Sequence, residues 1–363
     1  MQPHNWLAKR RLDLPWSILA AAVLKPAAHN AGANDEPAGF SPMQQAQQEF
    51  CIGSAVVLHF AMALNRGHEY SEIVHGRSAG LRVLSYLAAT YRHSSVEEWR
   101  RRIAAGLVLL DQRPTSPDAV LQPGQSLIWR RPPWEEPDAP LCYALLYRDR
   151  SLLAAAKPAG LPTLPAGGFL QHTLLSLVRK THPEATPVHR LGRGTSGVLL
   201  FARTLEARRK LHSAFRNHAV SKTYRALASG RPDQDEFTID APIGPVPHAR
   251  LGLVYAASAA GRRALTRVRV VERHAASSLL EIAIETGKPH QIRIHLAVAG
   301  HPLVGDPLYT VGGGFKEDGA TTTLPGEIGY WLHAAKIALA HPADGSSVEI
   351  YCRPPPLLRA GSC

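Results

Sequence analysis

The chain has 363 residues, enough for two or three domains with a sizeable buried core. Hydrophobic residues make up 45% and charged residues 19%, the balance of an ordinary soluble globular protein. Lysine and arginine number 41 against 29 acids, and the net charge of +12 favours a polyanionic partner, nucleic acid before an anionic membrane surface.

Cys51, Cys142, Cys352 and Cys363 contain no C-x-x-C pair. That spacing excludes a zinc ribbon and a dense disulfide framework, and it reads as four free thiols in a reducing compartment. No apolar run reaches the roughly 18 residues that cross a bilayer. The nearest, from Cys51 to Leu64, is interrupted by His59. Ile18 to Leu24 is too brief for a signal segment, and Asp13, Asp35, Glu36 and Glu49 argue against an acid-poor presequence. The expectation is a cytoplasmic protein with no membrane contact.

Residues 1–70 show no sustained period and read as a disordered extension, with Ala28 to Pro42 as a linker-like stretch. Met62 is a candidate for the true start. A small module is expected over 71–131. Leu81, Leu84, Leu87 and Ala88 share one helical face. A second helix runs from Val96 to Ala105, with Ser95 as N-cap, Glu98 completing a capping box and Gly106 ending it. Leu107 to Leu110 and Leu127 to Trp129 read as strands, with a turn at Asp111 to Pro114. Arg100, Arg101, Arg102 and Arg113 are candidate RNA contacts, with Arg130 and Arg131 close in sequence. The bland alternative is that the arginines solvate a helix face and suit its C-terminal dipole.

Residues 132–141 are proline- and acid-rich and read as a linker. Residues 142–363 mix short strands (Leu152 to Ala156, Val198 to Ala202, Lys222 to Ala228, Leu279 to Ile284) with helices (His172 to Lys180, Leu205 to Asn217, His290 to Ala299). The rhythm is not that of a doubly wound fold, so the fold class is α+β. Val311 to Gly329 reads as a surface loop.

The most informative segment is His189-Arg190-Leu191-Gly192-Arg193-Gly194-Thr195-Ser196-Gly197. It contains a formal G-x-G-x-x-G. A dinucleotide fingerprint needs a strand before it and a helix after, whereas here the strand-like Val198 to Phe201 follows. Taken whole, the segment resembles the H-R-L-D-x-x-T-S-G signature of RluA-type RNA pseudouridine synthases. Lys157-Pro158-Ala159-Gly160, Lys222-Thr223-Tyr224, Thr286-Gly287-Lys288-Pro289-His290-Gln291-Ile292-Arg293-Ile294-His295-Leu296, Gly305-Asp306-Pro307-Leu308-Tyr309 and Leu332-His333-Ala334 are similar to that family's other blocks, in the family's order. The module at 71–131 resembles the αL RNA-binding motif named after small-subunit ribosomal protein four.

The resemblance implies an isomerase that flips a uridine out of structured RNA, ribosomal or transfer, and reattaches the base through carbon. It implies no metal and no cofactor, and the chain is expected to act as a monomer. An aspartate would be the nucleophile, Arg293 its partner, and Tyr224 the ring packed on the flipped base. His189, Arg190, Leu191 and Leu296 would line the pocket. The aspartate's position holds Gly192. Either another acid has moved in, Glu285 and Asp306 being the neighbours of motif blocks, or the fold is kept for RNA binding with its chemistry lost. Arg293, if unpartnered, would form a cationic cavity able to accept an aspartate placed at 192, unless Gly192 has a positive φ. His189, His290 and His295 lack acid or cysteine partners at ligand spacing and read as hydrogen-bonded structural residues rather than a metal site.

Overall fold

The computed structural model describes residues 55–57 (backbone only), 64–91, 93–248, 252–316, 326 and 328–361. The linker-like stretch at 28–42, the candidate start at Met62 and the middle of the 311–329 loop lie outside the described residues. The chain forms two compact units, one of them Phe60–Glu136 and the other containing everything from Pro137 onward together with β1 (Ala55–Val57).

The smaller unit runs β2 (His68–Ile73), α1 (Val83–Thr90), α2 (Val96–Ala104), β3 (Val108–Leu110), β4 (Arg113–Pro114) and β5 (Ser126–Arg131), with sheet order β2-β5-β3-β4. Ser95 caps α2 as its sequence requires, its hydroxyl accepting from Glu98 N at 3.1 Å. Asp111 and Gln112 take φ values of 50° and 66°, the mirror-image turn that suits a two-residue hairpin between β3 and β4. Two expectations need correction. β2 begins within the stretch read as an extension, because its ladder with β5 satisfies backbone groups that sequence period alone does not reveal. Leu81 is exposed, and the buried face of α1 belongs to Val83 and Leu87. The connector is tied down: Asn65 Nδ2 donates to Glu136 Oε1 at 3.0 Å, and the Arg131 guanidinium lies 3.4 Å from the Trp134 ring centroid.

The larger unit contains β6 (Cys142–Arg148), β7 (Leu152–Lys157), α3 (Leu174–Thr181), β8 (Thr186–Pro187), β9 (Ser196–Ala202), α4 (Leu205–Arg216), β10 (Ser221–Ser229), β11 (Glu236–Ile239), β12 (Ile243–His248), β13 (Gly252–Ala257), β14 (Thr266–Arg273), β15 (Ser277–Ile284), α5 (Gln291–Val298), β16 (Leu332–Ala340) and β17 (Ser347–Tyr351). One mixed sheet has the order β1-β6-β7-β9-β16-β10-β15-β14-β11, with β17 on β16 and β8 on β9. Among the described strands, β9 and β16 make the one parallel pair. This is the expected α+β architecture. Cys142 is disulfide-bonded, which corrects the reading of four free thiols; Cys352 is free and buried.

Strands β7 and β9 are buried along their whole length because both of their faces are covered. Leu153, Ala155, Leu199 and Phe201 pack with Leu177 and Val178 of α3 on one side. Leu152, Ala154, Val198 and Leu200 pack with Ala207 and Leu211 of α4 on the other. Further along the sheet α5 covers one face through Ile292 and Leu296, while the other face carries Arg225, Arg267, Arg269 and Glu281 toward solvent. The site forms on the α5 side.

Candidate active site

The loop between β8 and β9 is held by several independent pins. Lys157, fully buried at the end of β7, donates from Nζ to the carbonyls of Pro158 (2.9 Å), Leu161 (2.7 Å) and Arg193 (3.1 Å). These three bonds use every N–H of the ammonium. Burial holds its pKa well below the ordinary lysine value, and the nearby Arg193 adds to that. Arg193 Nε returns a bond to Gly160 O at 3.0 Å, Thr163 Oγ1 donates to Leu191 O at 3.0 Å, and Thr195 N closes onto Gly192 O at 3.1 Å. Gly192 itself is exposed, and its φ is not left-handed.

The glycines of this loop answer to packing, not to phosphate. A Cβ on Gly197, whose φ is 112°, would collide with the Ala334 backbone, where β9 and β16 approach most closely. A Cβ on Gly194 would come within 2.9 Å of the Tyr330 ring, and one on Gly192 within 3.0 Å of Tyr330 Oη. Tyr330 therefore fills the space that side chains at 192 and 194 would need. Its hydroxyl lies 3.2 Å from Thr195 Oγ1, and burial raises its pKa.

Arg293, on α5, lies with its guanidinium carbon 4.4 Å from the Tyr330 ring centroid and 5.0 Å from that of Tyr309. It is not unpartnered. Nε and Nη2 donate to Asp306 Oδ2 and Oδ1 at 2.7 and 2.8 Å, with side chains 2% and 1% exposed. Asp306 Oδ1 also accepts from Leu308 N (2.9 Å) and Tyr309 N (3.0 Å). Burial alone would raise the Asp306 pKa; Arg293 and these two amides outweigh it and hold the carboxyl below its ordinary value.

Tyr224, on β10 opposite Ala334 and Ile282, is 8% exposed and shares its cluster with Leu191 and Tyr330. Its hydroxyl makes no hydrogen bond among the described residues, and burial pushes its pKa up to about 12. Lys222, two residues earlier, is half-buried, with burial lowering its pKa, and its ammonium would lie 4.0 Å from a Cβ on Gly287.

With this geometry several of the motif blocks meet around Tyr330 and the loop that holds Gly192. The profile described as RNA pseudouridylate synthase matches residues 151–298. An uncharacterized RNA pseudouridine synthase of Synechocystis is 39% identical over 278 residues, covering 76% of this chain and 95% of that protein. RNA pseudouridine synthase 5 of Arabidopsis thaliana is 37% identical, covering 82% and 95%. The chain belongs to the RNA pseudouridine synthase family. A more distant relative, ribosomal large subunit pseudouridine synthase D of Neisseria meningitidis, is 34% identical over 74% of this chain and 73% of its own.

Several residues that the family resemblance assigned to the pocket do other work. His189 Nε2 accepts from Leu200 N at 3.0 Å, and its ring stacks on Phe215 with centroids 5.0 Å apart. Withdrawal from water, with Lys222 nearby, pushes its pKa down to about 3. Leu296 is completely buried in the core. Arg190 is exposed and makes no ion pair among the described residues. Glu285 pairs with Arg267 at 2.6 Å, not with Arg293.

The histidines behave as structural welds. His333 bridges Ser196 Oγ (2.8 Å) and Cys352 O (3.0 Å); its Nε2 must donate to that carbonyl, so Nδ1 accepts from the serine. His295 Nε2 reaches Ala241 O at 2.9 Å. His290, with φ 56° at the start of α5, meets Tyr309 Oη at 2.9 Å, and that hydroxyl donates in turn to Tyr255 O at 2.7 Å. Among the described residues no group of three His, Cys, Asp or Glu is placed to hold a metal. In the module, Arg100, Arg101 and Arg113 are exposed, whereas Arg102 is bound to Glu98 and Ser94 and lies over the Trp99 and Trp129 rings.

Sequence reasoning missed Tyr330 altogether. It follows a glycine- and threonine-rich loop and stands 135 residues from its hydrogen-bond partner Thr195. The one usable signal was the paired absence of side chains at 192 and 194, which leaves room for something large.

Proposed function

We propose that this protein converts uridine to pseudouridine in structured RNA, ribosomal or transfer, as a cytoplasmic monomer, and that its attacking group does not come from position 192. The observation that supports this reading is the Arg293–Asp306 pair. The family places its arginine beside a carboxylate, and here Arg293 is held by one, Asp306 of the family-like block Gly305 to Tyr309, without any help from position 192. Asp306 holds Arg293 but is a poor nucleophile itself. Its oxygens already accept four hydrogen bonds, and its side chain is 1% exposed. Arg190 and Lys222, with Arg100, Arg101 and Arg113 in the module, suit RNA phosphates. Tyr224 offers a ring for the flipped base. The printed name of the Neisseria relative favours large-subunit ribosomal RNA as the first substrate to try.

A second reading, an RNA-binding protein without turnover, draws on one observation: Gly192 presents no side chain to attack with. The two separate on unmodified total RNA incubated with pure protein, followed by carbodiimide mapping of pseudouridine. New pseudouridine sites support the isomerase. Tight RNA binding with no new site supports the silent protein and rejects the first reading.

A further inference from the structure

We propose that the Tyr330 hydroxyl takes the place of the absent carboxylate and attacks C1′ of the flipped uridine; this rests on the isomerase reading above. The argument is positional. An aspartate's carboxylate oxygens lie roughly 2.4 Å from its own Cβ by standard bond lengths. Tyr330 Oη lies 3.0 Å from where the Cβ of residue 192 would be, so a hydroxyl from a distant segment lies within the reach of a side chain at 192. The ring is fixed, seated on Gly194 on one side and under the Arg293 guanidinium on another, with only 3% of the residue exposed. The hydroxyl end lies beside Gly192, the exposed and side-chain-free position on the loop. Thr195 Oγ1 at 3.2 Å orients it. Glycine at 192 and 194 and tyrosine at 330 form one compensating set.

The chemistry closes without an outside reagent. Burial keeps the phenol protonated in the free protein, so its proton has to leave during attack. As the Oη–C1′ bond forms, the N1–C1′ bond breaks, its electron pair goes to the uracil, and the phenol proton passes to uracil O2. The freed neutral base turns and relaxes to its N1–H tautomer. C5 then attacks C1′, the Oη–C1′ bond breaks with its pair returning to oxygen, and the C5 hydrogen leaves as the proton that restores the phenol. The Arg293 cation over the ring favours the charge that collects there as the oxygen departs. Tyrosine serves as the nucleophile in one class of glycosidase, so an aryl glycoside is a workable intermediate.

The test is Tyr330→Phe, which keeps the ring and removes the oxygen. Single-turnover pseudouridine formation should fall by at least about 100-fold, while RNA affinity and melting temperature stay near wild type. The double variant Gly192→Asp/Tyr330→Phe, in which the carboxylate enters the space the hydroxyl vacates, should regain activity that Tyr330→Phe lacks. A tyrosine that merely packs would leave the Tyr330→Phe rate near that of wild type. If Tyr330→Phe does not fold, 3-fluorotyrosine at 330 keeps the shape and acidifies the phenol. A displaced pH–rate profile supports the proposal, and an unmoved one overturns it. Wild-type rates in Tyr330→Phe overturn this inference and leave the isomerase reading standing. A wild type that forms no pseudouridine overturns both.

Discussion

The two sides of the sheet at strands β10, β14 and β15 hold the same kinds of ion pair in different surroundings. On the solvated face Arg225 and Arg269 share Glu281 at 3.0 and 2.5 Å, and Arg267 meets Glu285 at 2.6 Å, with side chains between 24% and 65% exposed. On the α5 side Arg293 meets Asp306 at 2.7 Å with almost no exposure. Water screens the first set, and each such pair contributes about 0–1 kcal/mol. The second has no water to fall back on, so losing either partner strands a charge. An acid next to a motif block in sequence therefore says little about its role; the depth at which it meets its arginine decides.

The largest expected effect breaks the buried side through pH. His290 and His333 are neutral in the fold, their pKa values pushed down to about 4 by burial. The unfolded chain binds those protons near pH 6.5, so stability is complete above that pH and lost as pH falls toward 4. Each histidine should contribute on the order of 3 kcal/mol of that loss. Urea unfolding at pH 7 and pH 4.5 checks it, and equal midpoints would mean that neither ring is held neutral. Next, Asp306→Ala should cost about 3–5 kcal/mol by stranding Arg293, and chemical denaturation measures it. A loss below about 1 kcal/mol would mean that the pair is hydrated.

Gly192→Asp sharpens the comparison from the other direction. With Arg293 unpartnered it would be neutral or stabilising. Since Arg293 is paired and Tyr330 Oη lies 3.0 Å from the new Cβ, overpacking should cost about 1–3 kcal/mol instead. A melting temperature at or above wild type would show that the tyrosine yields freely. The smallest effect belongs to the solvated face: Glu285→Gln should change stability by no more than about 0.5 kcal/mol and leave pseudouridine formation intact. A loss of activity there would move Glu285 into the reaction.

Much of the frame was legible because it rests on short-range rules. Ser95 caps α2, Gly106 ends it with φ 69°, and the strands at Leu152, Val198, Lys222 and Leu279 fall within a residue or two of their expected bounds. The weaker elements were not legible. β6, β12, β13 and β14 carry mixed polar and apolar residues, and their identity as strands depends on their partners. Leu296 and His189 lay within motif blocks, yet one is core and the other a cap on a backbone amide, because motif membership records position and not direction.

The sequence by itself determined the family, the α+β class, the loss of a side chain at 192 and the arginine at 293, since ordered motif blocks and local propensities are read along the chain. Only the tertiary structure decided what stands in the vacated space. Asp306 reaches Arg293 from the loop that follows α5, and Tyr330 reaches Gly192 and Gly194 from just before β16. Both are contacts between segments whose spacing in sequence carries no period. They form because a buried guanidinium must find a carboxylate and a close-packed interior leaves no void of side-chain size.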